Sequence, residues 1–497
     1  MSRLCARRTA RILAGVRLTL PLLILALVSR SVSAQQCPDG TMPPCGPRPA
    51  HAPSVAILFM EPRSRNAADS LLAEGLTLEI INTLSGVARL DVKSRFFSRR
   101  IAGDPDPVRS ARSFGVDYVV DGVLELDSTR VLVRGALTRT STGRVVRSLR
   151  VERRRAELEG LQVALAQEIA AAVIGRLLPA ERARFVVRRV DPRVTELTLR
   201  ALALSAQFTA GTIRQAIGLA QEAIAIDSAY APAWVQLALA HSLLTNFVSP
   251  DSVAAVSDRG LAANERALAL DSVNAAAMSQ IAGTRAARND LSPHTEALAR
   301  RGEALEADAT TGTGLAIVLL FRGEVDEALA VNRATVRRDS LAPVVWALAA
   351  GRFVDARRFV EAAGAWEHVL ALRPTAQDSF ALRRARRWSL WETGDCAGAL
   401  AAGQSVQDAY LIIESLRCLG RIAEADSVID AQLLLPTISP ASRAICLAWR
   451  NQPDSAFAVL DRTFPRGLGR TIQHPAFAPY RQHPAYLALR RRLGLER

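Results

Sequence analysis

The stretch Ala216-Ile-Gly-Leu-Ala-Gln-Glu-Ala223, closed by Asp227-Ser228, returns in altered form four more times along the chain. The end positions of the five copies are spaced 44, 37, 31 and 34 residues apart, a mean of 36.5. They are Ser228, Ser272, Ala309, Ser340 and Pro374. A period of this length is typical of arrays of helical hairpins. Small alanines let paired helices approach closely, and each hairpin buries its apolar face only by stacking on a neighbour.

Four later stretches place a glycine or asparagine where the chain would turn between paired helices. They are Gly323-Glu-Val-Asp-Glu-Ala328, Gly394-Asp-Cys-Ala-Gly-Ala399, Gly420-Arg-Ile-Ala-Glu-Ala425 and Asn451-Gln-Pro-Asp-Ser-Ala456. With them, residues 193–465 resemble the tetratricopeptide (TPR) family, whose repeats run about 34 residues. We expect five to seven repeats that curve into a solenoid, whose concave groove is the default binding surface. The interval of 44 residues predicts an insertion near Asn246 to Asp258.

Residues 52–178 carry a different pattern, in which short apolar runs alternate with helical periodicity. The predicted strands are Ser54–Phe59, Arg89–Val92, Val116–Val120, Arg130–Thr138 and Val145–Val151. The predicted helices are Asp69–Leu84, Val108–Phe114 and a closing helix, Leu158–Leu178. The order β-α-β-α-β-β-β is that of a small α/β domain. The predicted fold class is therefore α+β and mostly helical, with a small α/β domain followed by an all-α solenoid.

The α/β region also resembles a known family. Its motifs are Val55-Ala-Ile-Leu-Phe59, Leu72-Ala-Glu-Gly-Leu-Thr77 with Glu79-Ile-Ile-Asn82, and Gly115-Val-Asp-Tyr-Val119 with Asp121-Gly122. They look like the TolB-like amino-terminal domain, although Phe59-Met60-Glu61 departs from its usual Pro-Phe-Glu order. The resemblance implies a non-catalytic domain that is often coupled to helical repeats behind kinases, cyclases or winged-helix regulators. Residues 466–497, which include His474 and His483, resemble the terminal segment of the same proteins, which implies a cap over the last hairpin.

The amino terminus is typical of a secretory signal peptide. Residues 1–34 contain six arginines and no acid, followed within the segment by the apolar run Leu18–Val28 and the small-residue site Val32-Ser33-Ala34. The run is shorter than the roughly 20 residues that span a bilayer, and an uncleaved anchor is the alternative. We expect export to the periplasm or cell envelope, and no transmembrane segment after cleavage.

Export makes disulfides feasible. A Pro/Gly-rich linker, residues 35–51, contains Cys37 and Cys45, which we expect to close a local disulfide because no second cysteine pair completes a metal site. Of the other four cysteines, Cys5 lies in the signal segment, and Cys396, Cys418 and Cys446 lie in the repeat region. We expect the last three to be small apolar residues inside helices, and at least one has no partner within this odd-numbered set.

The charge is +15, but only one of the 63 basic residues is a lysine, Lys93. No glycine pair precedes it, which excludes a P-loop, and the H-R-D and D-F-G motifs of protein kinases are absent. Gly394-Asp-Cys396-Ala-Gly398 has the spacing of a nucleophile elbow, but it falls at a turn between two helices rather than between a strand and a helix. The acidic residues occupy ordinary helix and strand positions; they are Glu74, Glu79, Asp117 and Asp121. We therefore predict no enzyme activity, no cofactor and no metal site.

A basic run, Arg383-Arg384 with Arg386-Arg387 beside Trp388, is the candidate partner-binding site. It would bind an acidic peptide, or it is a solvated helix face. An arginine-rich coding bias explains the charge as well, so no nucleic-acid partner is expected. The predicted function is an exported, non-catalytic scaffold or adaptor that binds protein or peptide partners in the repeat groove. The alternative is a regulatory or sensory module of a kinase- or cyclase-associated bacterial signalling system.

Overall fold

The computed structural model describes residues 52–495, except positions 65, 183–184, 186, 188–189, 306–308, 373–375 and 465. A mixed sheet with flanking helices comes first, and helical hairpins follow it. The strands are β1 (Ser54–Ile57), β2 (Glu61–Pro62), β3 (Asp91–Val92), β4 (Tyr118–Leu126), β5 (Arg130–Arg139) and β6 (Arg144–Arg154). The helices of this region are α1 (Ala67–Ser85), α2 (Arg95–Ala102), α3 (Pro107–Ser113), α4 (Leu158–Ile174) and the short α5 (Pro179–Arg182). The chain is mostly helical, with a small sheet, as predicted.

The sheet has a parallel and an antiparallel half. β1 lies between β3 and β4 and is parallel to both, while β2 forms a short parallel pair with β4. β4, β5 and β6 form an antiparallel meander with an irregularity beside Leu137. The strand order is β3-β1-β4-β5-β6, which places β6 at one edge. α1 and α4 pack on one face of the sheet, where they bury its largest apolar cluster.

On the opposite face, α2 and α3 cover β1 and the start of β4. There Phe97 and Ile101 of α2 and Ala111 of α3 pack against Ala56 and Val119. The sequence analysis missed α2 because the helix is only eight residues long and half of its residues are polar. A signal existed, since two apolar residues four positions apart follow a serine that caps the helix.

Eight helical hairpins follow within the described residues, one more than the upper limit of the predicted five to seven. The count was low because the turns at Gly394, Gly420 and Asn451 each belong to a complete hairpin. The first four hairpins are α6 (Pro192–Ala206) with α7 (Ala210–Ile226), α8 (Ala231–Leu244) with α9 (Pro250–Leu270), α10 (Ala275–Ala287) with α11 (Pro293–Leu305), and α12 (Ala309–Arg322) with α13 (Val325–Arg338). The last four are α14 (Pro343–Asp355) with α15 (Phe359–Leu372), α16 (Ala376–Glu392) with α17 (Cys396–Val406), α18 (Ala409–Cys418) with α19 (Ile422–Leu433), and α20 (Pro440–Trp449) with α21 (Pro453–Thr463).

Seven of these hairpins turn through a residue with positive φ. Three turns use the predicted glycines, at φ values of 90° (Gly323), 88° (Gly394) and 73° (Gly420). The others use Phe208, Asn289, Arg357 and Asn451. The left-handed region is open to glycine but costs other residues about 1–2 kcal/mol. The second hairpin differs: it turns through a 3-10 segment, Thr245–Phe247, into the 21-residue α9, which accounts for the predicted insertion.

The α/β region packs directly on the first hairpin. Gly75 of α1 lies against the backbone of Leu199 in α6, and a Cβ at this glycine would come within 2.6 Å of the Leu199 carbonyl carbon. Ion pairing adds to the contact, because Arg155 donates to Glu196 of α6 at 2.9 Å. Further along the array, Ser94 at the start of α2 donates to Asp339 at 2.6 Å. The α/β region is thus joined to the first and fourth hairpins.

Residues 466–495, here called the C-terminal segment, contain α22 (Leu468–Ile472), a 3-10 turn (Pro475–Tyr480) and α23 (Pro484–Arg492). The segment covers the last hairpin, where the Phe477 ring lies 5.6 Å from that of Phe457. It also reaches back to the third hairpin. There the Leu291 N–H donates to the Leu493 carbonyl at 2.9 Å. The C-terminal segment therefore links the end of the array to its middle.

Candidate interaction surface

The four arginines of the predicted basic run all lie on α16. Arg383 and Arg384 are exposed, and Arg387 is partly buried. Arg386 forms an ion pair of 2.7 Å with Glu367 of α15. Among the described residues, no carboxylate lies within ion-pairing distance of Arg383 or Arg384. The structure thus leaves two adjacent arginines of the run available to an anionic partner.

An aromatic side chain accompanies them. Phe380 is 58% exposed, an unusual position for a large apolar side chain, and lies one turn before Arg383 and Arg384. Residues four and seven positions apart share a helix face, so Phe380, Arg384 and Arg387 follow one line along α16. We call Phe380, Arg383, Arg384 and Arg387 the α16 arc. It combines apolar area with positive charge, as binding surfaces for acidic peptides do.

The same line of residues ends at Trp391, whose ring contacts Arg357 of the neighbouring hairpin. The Arg357 guanidinium carbon lies 4.5 Å from the centroid of the Trp391 ring, within cation–π distance. Arg357 Nη2 donates to Glu414 at 2.8 Å, and its Nη1 lies 3.2 Å from His474 Nε2. This arginine has a φ of 60°, and its left-handed turn places the guanidinium among α16, α18 and the C-terminal segment.

Burial controls the charges at this junction. Desolvation raises the pKa of Glu414, and the nearby Arg357 guanidinium opposes that rise. Desolvation, followed in importance by the Arg357 charge, lowers the pKa of His474 to about 3. The histidine is therefore neutral near pH 7. His474 also caps the following 3-10 turn, because its Nδ1 accepts a hydrogen bond of 3.2 Å from the Ala476 N–H.

The C-terminal segment lies along the hairpins from the third to the eighth. The C-terminal segment contacts the first helix, or the turn directly after it, of the third, fourth, fifth, seventh and eighth hairpins. From the third hairpin onwards, the first helix that differs is α16, where Trp391 lies against Arg357, whose Nη1 is 3.2 Å from His474 Nε2. Apolar side chains of the C-terminal segment therefore cover much of the array from the third hairpin onwards. The concave groove as the binding surface stays a prediction.

These side chains are too deeply buried to be displaced by a peptide. The residues concerned are Leu468, Ile472, Phe477, Tyr486, Leu489, Leu493 and Leu495, and all are at most 6% exposed. Burying one such side chain contributes about 1.5–3 kcal/mol. The seven together exceed the ~8 kcal/mol with which a micromolar peptide binds. The segment is thus a permanent part of the core, while Phe380, Arg383 and Arg384 of the α16 arc remain exposed.

The four carboxylates considered in the sequence do not share a site. Glu74 pairs with Arg99 of α2, and Asp117 accepts from the Ser54 N–H and hydroxyl, both at 2.8 Å. Glu79 is partly buried, and desolvation raises its pKa to about 7. Desolvation also raises the pKa of Asp121. Each acid has different neighbours, and the ion pair and hydrogen bonds join structural elements.

The cysteines of the array differ from the expectation of three apolar helix residues. Cys396 at the start of α17 and Cys418 at the end of α18 form a disulfide, with Cα atoms 6.1 Å apart. Sequence spacing missed this pair because the two residues, 22 positions apart, meet only when successive helices run antiparallel. Cys446 of α20 is buried and free. The predicted Cys37–Cys45 disulfide lies outside the described residues.

Among the described residues, no group of three or more histidine, cysteine or acidic side chains is arranged to hold a metal ion. In the same part of the chain, no helix combines the length and apolar character needed to cross a membrane.

No family model matches the chain. A protein of Rhizobium meliloti (strain 1021), named as adenylate cyclase 3, is 28% identical over 199 residues, which cover 40% of this chain and 34% of that protein. The chain therefore spans about a third of the length of this curated relative.

Three solved structures are similar at low scores. The human IFIT1 dimer with m7Gppp-AAAA is 11% identical and covers 82% of this chain and 97% of its own, with a TM-score of 0.38. The P58(IPK) TPR domain is 12% identical and covers 60% and 98%, with a TM-score of 0.18. A PelC dodecamer from Paraburkholderia phytofirmans is 22% identical and covers 26% and 94%, with a TM-score of 0.19. All three TM-scores are below 0.5, and the array is defined by its own helical hairpins.

Proposed function

We propose that the protein is an exported, non-catalytic adaptor that binds an acidic segment of a partner protein on the α16 arc. The observation that carries the proposal is the arc itself, where Arg383 and Arg384 have no ion-pair partner among the described residues and Phe380 is exposed. Arginine forks bind carboxylates through two parallel hydrogen bonds, and an aromatic ring beside them adds apolar contact. The C-terminal segment and Arg357 hold the hairpins around α16 in place, so the arc is a rigid surface.

Photo-crosslinking in intact cells tests this proposal. A photoreactive phenylalanine is placed at Phe380, and the matched control carries it at Phe114, which is also exposed (49%) but lies in the α/β region. We expect the Phe380 position to capture a partner that the Phe114 position does not. Identical products from both positions, or none from Phe380, would contradict the proposal.

A charge test follows on the captured partner. The double variant Arg383→Gln/Arg384→Gln should weaken its binding about tenfold, since each exposed charge contact contributes up to ~1 kcal/mol. The control variant Arg214→Gln/Arg266→Gln removes the same charge from exposed positions on α7 and α9. Equal loss in both variants would assign the effect to net charge rather than to the arc.

Export is the part of the proposal that rests on residues 1–34. Cell fractionation and mass spectrometry of the full chain measure it directly. We expect a periplasmic or envelope protein whose first residue is Gln35. A chain that begins at Met1 in the membrane fraction would support the anchor, and a cytoplasmic chain would refute export.

A second candidate function is a regulatory module of a kinase- or cyclase-associated signalling system. The relative named as an adenylate cyclase favours this function, and so does the TolB-like resemblance of residues 52–178. Two residues of the resembling motifs, Gly75 and Asp117, make structural contacts. The test measures cyclic AMP in a cyclase-deficient strain that produces the chain alone or together with a separate cyclase. A change only in the second case supports regulation. Cyclic AMP formed by the purified chain would contradict the non-catalytic proposal.

A further inference from the structure

The outer edge of the sheet carries a second basic surface, distant in sequence from α16. β6 is eleven residues long, and among the described residues no strand pairs with its outer edge. Natural edge strands are usually short or covered, because their free backbone groups can pair with another strand. Two apolar side chains near its start are exposed, Val145 (55%) and Val146 (43%).

Arginines face one another across the last two strands. In the middle and at the end of β6, the register places Arg134 directly opposite Arg150 and Arg130 directly opposite Arg154. Like charges at such positions destabilise a sheet. All four side chains are more than half exposed.

The acids nearby only partly compensate these charges. Glu152, between Arg150 and Arg154 on the same strand face, is shared by Arg130 at 3.2 Å and Arg150 at 3.1 Å. Arg130 has a second acidic neighbour, Asp127, at 2.9 Å. Arg150 therefore depends on a carboxylate for which Arg130 competes.

The same shortage holds for the arginine that faces Arg150. Arg134 lies 3.5 Å from Glu125, which Arg63 also contacts at 3.1 Å. At the end of β6, Arg154 contacts Glu157 at 3.0 Å. Arg130 and Arg154 at the end of the strand pair thus each have an acidic neighbour, Asp127 or Glu157. Arg134 and Arg150 in its middle contact only acids that a second arginine also contacts, Glu125 and Glu152. An added carboxylate opposite the middle of β6 would find a cation.

We propose that the outer edge of β6 binds an acidic, extended segment of a partner protein by strand addition. The added strand would pair with the free backbone groups of β6, as in other β-augmentation complexes. Alternate residues of a strand share a face, so two acids four positions apart would lie opposite Arg150 and Arg154. A neutral residue between them would lie opposite Glu152. The added acids would interact with Arg150 and Arg154 and leave Glu152 to Arg130.

The charge of β6 selects this occupant over a second copy of the chain. β6 contains five arginines and one glutamate, so pairing with itself would place two strongly basic strands side by side. The proposal is independent of the α16 arc, because the two surfaces lie on different elements.

Two synthetic peptides of equal composition test the proposal on the full exported chain. Val-Glu-Val-Thr-Val-Glu-Val presents both acids on one strand face, and Val-Glu-Glu-Val-Thr-Val-Val presents them on opposite faces. Fluorescence anisotropy measures their binding, and hydrogen exchange reports on the β6 amides. We expect the first peptide to bind at least about threefold more tightly and to slow exchange in β6. In Arg150→Gln/Arg154→Gln, its affinity should fall about tenfold.

The control variant is Arg214→Gln/Arg266→Gln, which has the same charge change at exposed positions on α7 and α9 and should leave this binding unchanged. The α16 variant Arg383→Gln/Arg384→Gln is measured beside it. Equal binding of the two peptides would show that net charge alone is recognised and would overturn strand addition. Binding without protection of the β6 amides, or no binding of either peptide, would also overturn it. Loss of binding in the α16 variant alone would place the peptide on the arc and refute the β6 site without affecting the adaptor proposal.

Discussion

Replacing Gly75 by alanine should weaken the contact between the α/β region and the repeat array. The alanine Cβ would lie 2.6 Å from the Leu199 carbonyl carbon and 3.0 Å from the Leu199 Cβ, where ordinary contact begins at 3.4 Å. The atoms in the way are mainly backbone, so no side-chain rotation relieves the overlap. α1 and α6 must therefore separate by close to an ångström along the whole contact.

Two opposite contributions determine the size of the effect. Alanine is a better helix former than glycine by about 0.8–1 kcal/mol. Overpacking a close contact costs about 1–3 kcal/mol, and the apolar residues around α6 lose contacts as the helices separate. We expect the Gly75→Ala variant to be less stable by about 1–2 kcal/mol.

The matched control is Gly218→Ala in α7. A Cβ at this helical glycine would meet nothing within 4 Å, so only the gain in helix propensity remains. We expect this variant to be more stable by about 0.5–1 kcal/mol. Urea titration followed by circular dichroism measures both variants, and hydrogen exchange shows whether α1 and α6 amides lose protection in Gly75→Ala. If Gly75→Ala is as stable as Gly218→Ala, α1 and α6 do not approach as described and the reasoning fails.

Three further predictions concern other parts of the chain. Phe477→Ala should lower the free energy of unfolding by about 3–5 kcal/mol in urea titration, because the ring is fully buried; an unchanged midpoint would mean that the C-terminal segment is not part of the core. Reducing the Cys396–Cys418 disulfide should cost about 3 kcal/mol, because it closes a loop of 22 residues, and Cys446 should react with an alkylating agent only in denaturant. The pKa of Glu79 is about 7 in the folded state and 4.5 in the unfolded state, so the free energy of unfolding should fall as the pH rises between these values. Glu79→Gln should reduce that fall.

The repeats could be predicted from the sequence because their signals are local. Trp234 and Trp346 are one such signal: each indole N–H donates to the carbonyl six residues earlier, at 3.0 Å to Ser228 and 2.8 Å to Ser340. Equal bonds at two aligned positions confirm the alignment of those repeats. The turn through Arg357 could not be predicted, because its left-handed conformation is imposed by surrounding contacts rather than by a glycine.

The candidate site was predictable in composition but not in context. The run at Arg383 was visible as a cluster of charges on a helix. That Arg386 pairs with Glu367 depends on the packing of α16 on α15, and that Arg384 stays exposed depends on which helices pack around α16. The contact between Leu291 and Leu493 joins residues some 200 positions apart, a distance over which no sequence period gives information.

The return of the C-terminal segment to the third hairpin also fixes the number of units in the array. Open repeat arrays change length by duplication or loss of a unit, because each unit touches only its neighbours. Here an extra hairpin between α11 and α20 would carry Leu493 away from Leu291. Evolution by repeat duplication is therefore restricted in this half of the chain. Folding has a matching limit during synthesis, since the Leu291 N–H obtains its carbonyl partner only after Leu493 has left the ribosome.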